Sequence, residues 1–159
     1  MKKPILCLLL IFPLLQASFV FSQRTAANRY EAELLTNPNP GRKDTREVNA
    51  VIVFEKESVK IFSRRKNEVF KEFSYKNIRF AEHSFSKNLL FSPRANKLLL
   101  ILFPTSLPLF YSGKEKHWLT IIGEDDFAVL KIESDNYRLI KNEFIIRNLD
   151  IYNINEDKQ

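Results

Sequence analysis

From Asn49 to Glu133 apolar and polar side chains keep a two-residue rhythm, interrupted by short polar stretches. Asn49–Phe54 (NAVIVF) is an apolar run rich in β-branched residues, which predicts a buried strand. Glu55–Ser58 is a polar turn. Val59–Ser63 then alternates, with Val59 and Ile61 on one face and Lys60 and Phe62 on the other. Arg64–Asn67 makes a second turn, and Glu68–Tyr75 predicts a third strand with Val69, Lys71, Phe73 and Tyr75 on one face. Asn77–Ser86 predicts a fourth. Ile78 and Phe80 share one of its faces, and Ala81, His83 and Phe85 share the other, so the parity switch predicts a bulge near Phe80. His117–Glu124 and Phe127–Glu133 alternate on either side of the Gly123–Asp126 turn and predict a hairpin. Leu119 and Ile121 form the apolar side of its first strand; Ala128, Leu130 and Ile132 form that of its second.

After Glu133 the rhythm becomes helical. Ser134 suits an N-cap, and Asp135 in the first turn favours the helix dipole. Tyr137, Ile140 and Phe144 recur at helical spacing, with Leu139 and Ile146 widening the stripe. The helix should fade near Asn148, and Leu149–Ile154 reads as a short extended tail. Upstream, Ala26–Leu35 suits a short helix, and Asn37-Pro38-Asn39-Pro40-Gly41 breaks regular structure. Residues 23–47 therefore read as a flexible segment, 48–154 as one domain and 155–159 as a tail. Strands followed by a single helix argue an α+β fold: a curved antiparallel sheet closed by one C-terminal amphipathic helix.

The first 22 residues carry a different pattern. Met1-Lys2-Lys3 is positive, Leu6–Leu15 is almost unbroken apolar sequence, and Val20-Phe21-Ser22 has the residue sizes a signal peptidase reads. This layout predicts a secretory signal peptide over 1–22 and an exported chain, periplasmic or secreted. Roughly 137 residues then remain, enough for one domain with a hydrophobic core. Cys7, the only cysteine, lies in the leader, so the mature chain would have no disulfide and no thiolate chemistry. The net charge of +6 falls to about +4 without the leader; it favours anionic surfaces weakly and forms no concentrated stripe of the kind nucleic acid needs.

One segment departs from both rhythms. Leu98–Phe110 (LLLILFPTSLPLF) is almost wholly apolar and sits inside an insertion spanning 89–113. As a helix it would extend about 20 Å, short of the roughly 30 Å of a bilayer core, and Pro104 and Pro108 interrupt it. Two short strands or a core-packed loop turning at Thr105-Ser106 is one reading. An interfacial loop or hairpin flanked by Lys97, Lys114 and Lys116 is a second, and a partner-protein surface is a third. The apolar contact candidates are Leu98, Leu99, Leu100, Leu102, Phe103, Leu107, Leu109 and Phe110.

Arg64, Arg65 and Lys66 at a turn, together with Lys114 and Lys116, are the candidate contacts to an anionic surface. His83 and His117 lack metal-ligand spacing and read as strand-surface residues; Ser84 and Ser86 lack the surroundings of a nucleophile. Asp125-Asp126 and Glu133/Asp135 sit where turns and helix starts prefer acids. Gly41, Gly113 and Gly123 lie too far apart to cradle a phosphate. Trp118 reads as a core anchor. No catalytic residue, metal or cofactor is expected.

Val69-Phe70-Lys71-Glu72-Phe73-Ser74-Tyr75-Lys76-Asn77-Ile78, Gly113–Ile121 and Asp135–Ile140 resemble the third-to-fourth strand passage, the re-entering strand and the closing helix of pleckstrin-homology-like domains. The likeness covers about residues 48–148 and is nearest to exported bacterial proteins of unknown role with PH or GRAM-like topology. It implies a curved sheet or partly open barrel. It implies no headgroup specificity, because Glu55-Lys56-Glu57 lacks the basic pattern of the first turn. The expected role is a non-enzymatic exported module contacting a partner protein or an anionic membrane surface. A small apolar-ligand carrier and a subunit of an envelope complex are the alternatives.

Overall fold

The structure is a computed structural model and describes residues 28–36, 46–102 and 111–154. Strands β1 (Asn28–Thr36), β2 (Arg46–Phe54), β3 (Ser58–Ser63), β4 (Val69–Ser74), β5 (Ile78–Asn88), β6 (Tyr111–Gly123), β7 (Phe127–Ile132) and β8 (Ile151–Ile154) form one sheet. Two helices accompany them, α1 (Pro93–Leu102) and α2 (Ser134–Ile146), and a 3-10 turn at Tyr75–Asn77 links β4 to β5. The spatial order is β4-β3-β2-β1-β7-β6-β5-β8. Every ladder is antiparallel except β5 with β8, which is parallel.

The expected helix over Ala26–Leu35 is instead β1, a central strand paired with β2 from Asn28↔Phe54 to Thr36↔Arg46 and with β7 at Glu33 and Leu34. The segment is rich in Ala, Glu and Leu, but Tyr30, Ala32 and Leu34 all face one core, and tertiary pairing outweighs weak helical propensity. The ordered sheet thus begins well before Val48. The predicted signal peptide lies outside the described residues.

β1, β5, β6 and β7 divide their side chains between two cores, while β2, β3 and β4 contribute to the first alone. Leu34, Ile52, Val59, Ile61, Leu119, Ile121, Leu130 and Ile132 are buried on one face under Ile140 and Phe144 of α2. Leu35, Phe80, Trp118, Ile122 and Val129 are buried on the other, under Ala95 and Leu99 of α1. Residue Arg79 is bypassed in the β5–β6 ladder, which steps from Ile78↔Gly123 to Phe80↔Ile122. The bulge therefore sits beside Phe80, and it sends Ile78 and Phe80 into opposite cores rather than one.

The antiparallel sheet or partly open barrel closed by a single C-terminal helix is not what forms. The sheet is mixed and open, and it carries two helices. It bends sharply enough that Phe73 of β4 lies where a Cβ on Gly123 of β6 would meet it, at 3.1 Å. Its two edge strands are β4 and β8, and no ladder joins them among the described residues. Among the described residues the outer edge of β4 has no ladder partner. The chain also does not end at α2: Asn148, with φ 57°, reverses it, and β8 returns to the sheet edge.

α1 was not expected. Ser92 caps it, its hydroxyl accepting the Ala95 amide at 3.1 Å, and Pro93 occupies the first turn, where its fixed φ suits a helix. α2 starts at Ser134 as expected, but Glu133 holds the N-cap position and makes no side-chain cap bond. Leu139 and Ile146 lie outside its buried stripe.

Candidate functional site

Three features stand apart from the two cores. The first is the outer side of α1. Ala95 and Leu99 point inward and Leu98 is half-buried, whereas Leu100 and Ile101 are 53% and 66% exposed. Lys97 is exposed one turn earlier on the same side. Arg94 lays its guanidinium over Phe80, at 4.3 Å, and near Tyr152 of β8, at 5.9 Å. Of the apolar candidates, Leu98 and Leu99 serve the core and Leu100 faces water. Leu102 ends α1, and Phe103, Leu107, Leu109 and Phe110 lie outside the described residues. Among the described residues no helix is long and apolar enough to cross a membrane.

The second feature is the set of basic turns. Arg64, Arg65 and Lys66 are exposed between β3 and β4. Lys114 is exposed on β6, and Lys116 reaches Glu133 at 2.9 Å. Both groups lie at the sheet end that holds Asn49, Glu33 and Lys131, but β2, β1 and β7 separate β3 from β6. That is about 19 Å along the curved sheet at the usual strand spacing. They form two patches. Arg64 pairs with Glu31 at 2.8 Å, so two of the five cations are already engaged by carboxylates. Beside Arg64 a cleft of about 130 Å³ is lined by Glu31, Asn49, Lys131 and Asn136. Its walls are polar, unlike those of a pocket for an apolar ligand.

The third feature escaped sequence reasoning. His83 and His117 are not separate surface residues. The β5–β6 register pairs His83 with Leu119 and Phe85 with His117, which makes the histidines diagonal neighbours on the α2 side. His83 is only 8% exposed. Its Nε2 lies 2.9 Å from Nδ1 of His117, and its Nδ1 lies 3.0 Å from Oδ1 of Asn153 in β8. Tyr137 of α2 lies over both rings, with centroids 3.8 Å from His83 and 4.7 Å from His117. Its hydroxyl points at the same Asn153 oxygen at 3.4 Å. Burial, which outweighs the Asn153 bond, pushes His83 down to about 4, with His117 and Lys141 acting in the same direction. Burial also lowers His117, against the pull of Glu133. The available signal was parity: both histidines share the face of residues that also read as core.

Two buried carboxylates hold the framework. Glu82 accepts Ser92's hydroxyl and, at 3.2 Å, its amide, so it fixes the start of α1. Glu143 in α2 accepts from Asn28 and, at 2.9 Å, from the Tyr30 hydroxyl, and it pairs with Arg147. Both are buried, at 3% and 6% exposure. Among the described residues no three His, Cys, Asp or Glu side chains gather to hold a metal ion. Trp118 is a core anchor, 1% exposed, its indole donating to the Ser86 carbonyl at 3.0 Å.

No model of a known protein family matches the chain, and no curated protein matches it. Among solved structures it is similar to the hSac2 domain from human phosphoinositide phosphatase Sac2, at 15% identity and a TM-score of 0.39. The match covers 97% of this chain and 92% of that one. A likeness at that level assigns neither a fold nor an activity.

Proposed function

We propose that this protein is an exported, non-enzymatic binding module that docks on an anionic membrane surface through the C-terminal end of α1 and the apolar segment after it. The pleckstrin-homology-like kinship read from the sequence belongs to the same proposal. The observation that carries it is the pair Leu100 and Ile101, both exposed and preceded by exposed Lys97 on the same side of the helix. Burying what remains exposed of the two side chains, 53% and 66%, contributes about 2–3.5 kcal/mol, and each cation near an anionic surface adds about 1 kcal/mol. The helix would lie in the interface rather than cross it. Lys114 is a further available cation.

The test is flotation of the purified protein with vesicles containing phosphatidylglycerol. Leu100→Glu with Ile101→Glu should weaken vesicle affinity at least about 30-fold while leaving unfolding unchanged, because neither side chain serves a core. Equal binding by wild type and variant would reject docking through α1, and equal binding to neutral and anionic vesicles would reject the anionic surface as its target.

A further inference from the structure

The outer side of α1 carries one more cation than Lys97. Arg94 is exposed and precedes Ile101 by seven residues, so both lie on one line of the helix, about 10 Å apart along its axis. Lys97 stands beside that line, between them. The Arg94 guanidinium lies over the Phe80 ring at 4.3 Å and comes within 5.9 Å of the Tyr152 ring, so β5 and the edge strand β8 hold it in place. The rings restrict its motion but are not conventional acceptors, which leaves its five N–H donors for a ligand. Among the described residues no carboxylate pairs with Arg94, whereas Arg64 is tied to Glu31 and Arg147 to Glu143. Glu82, the buried carboxylate at the start of α1, is committed to Ser92.

We infer that Arg94 is the residue that takes the headgroup phosphate of an anionic lipid, two of its N–H groups donating to two phosphate oxygens while Phe80 and Tyr152 hold the guanidinium still. The inference rests on the docking of α1 proposed above. Arg94 lies on the line that Ile101 turns towards the bilayer, so docking carries it to the headgroups. Tyr152 is itself 48% exposed, which leaves the approach over β8 open. Arg94 and Lys97 do different work there. Lys97 is a compact charge on a flexible stem, and any anion satisfies it. The guanidinium fork matches two oxygens of one phosphate, and holding it beforehand removes part of the entropy cost of that bond.

Arg94→Lys keeps the charge and loses the fork. It should weaken affinity for phosphatidylglycerol vesicles about 10-fold, whereas Lys97→Arg should stay within about 2-fold of wild type. Flotation of Arg94→Lys equal to that of bound wild type overturns the phosphate assignment and leaves the docking standing; no flotation of wild type overturns both. Because Arg94 also covers Phe80, the comparison is made at matched stability, read from the urea midpoint. A second readout needs neither a membrane nor a variant: the Nε–H resonance of Arg94 in the wild-type protein, titrated with glycerol phosphate. A saturable shift larger than that of exposed Arg65 is expected. Equal shifts at the two residues, or the same Arg94 shift with sodium chloride at matched ionic strength, overturn the inference even where Arg94→Lys is too unstable to compare.

Discussion

Glu143→Ala should be among the most damaging single changes in this fold. The carboxylate is 6% exposed and ties α2 to β1 through Asn28 and Tyr30, and to the C-terminal end of its own helix through Arg147. Arg147 in turn lies over Phe54 and Tyr75, at 5.1 and 5.4 Å, and donates to the Glu143 carbonyl at 2.9 Å. Removing one member of a buried pair leaves the other charge desolvated and costs about 3–5 kcal/mol. A domain of this size has about 5–15 kcal/mol in total, so the melting point should fall by roughly 10–20 °C. Urea titration followed by fluorescence of Trp118, the sole tryptophan, measures the loss. Asn142→Ala, next to it on the exposed side of α2, should change stability by less than about 0.5 kcal/mol.

Two further readouts separate the ion pair from mere packing. Glu143→Leu combined with Arg147→Met removes both charges, and most of the lost stability should return, because the desolvation penalty goes with them. Tyr30 reports on the carboxylate directly. Burial first, then the bond to Glu143 and its charge, pushes the phenol up to about 12. In Glu143→Ala the phenolate absorbance should appear at lower pH. A stability loss under about 1 kcal/mol in Glu143→Ala, or a double variant as damaged as the single one, would refute the reasoning.

Ser92→Ala should cost about 2–4 kcal/mol in the same titration, since it removes the α1 cap and a donor to buried Glu82; Ser92→Thr should restore most of it. Lys131→Met should cost about 2 kcal/mol at pH 7, because Lys131 bonds Glu33 and, at 2.8 Å, Glu47. Burial opposes charge at Glu33, but the Lys131 and Glu47 bonds outweigh it and hold the carboxyl below its ordinary value. Its contribution is therefore present above the ordinary carboxylate range and lost as pH falls through the lowered value. The gap between Lys131→Met and wild type should accordingly narrow on acidification, and a gap that widens would contradict the assignment.

How much of this was legible depends on where each signal was local. Val59 with Ile61, Leu119 with Ile121, and Ala128 with Leu130 and Ile132 each showed their buried face through alternation alone, because one face of each pair meets a single core. β1 alternates as plainly, with Tyr30, Ala32 and Leu34 inward, but Glu31, Glu33 and Leu35 give the same nine residues a helical look. Only the partners on either side, β2 and β7, decide between the two, and those contacts span up to about a hundred residues of chain. α1 was hidden for the opposite reason: in Leu98–Leu102 every side is apolar, so no stripe stands out. The stop-and-start chemistry of Ser92-Pro93 was the readable cue, and Ala95 with Leu99 supplied the spacing.

The histidine cluster marks the limit of such reading. His83 and His117 are 34 positions apart, and each alone is an unremarkable strand residue. What makes them a unit is the β5–β6 register, and the bulge at Ile78/Phe80 shifts that register by one residue. Without the bulge the faces of β5 beyond it would exchange, sending Glu82 and Ser84 towards α2 and His83 towards α1. The residue that decides the cluster is therefore Arg79, which touches none of it. Parity arguments assign faces within a strand, but they cannot carry a face across an irregularity. In this chain the irregularity lies between the core that defines the parity and the polar residues whose placement matters.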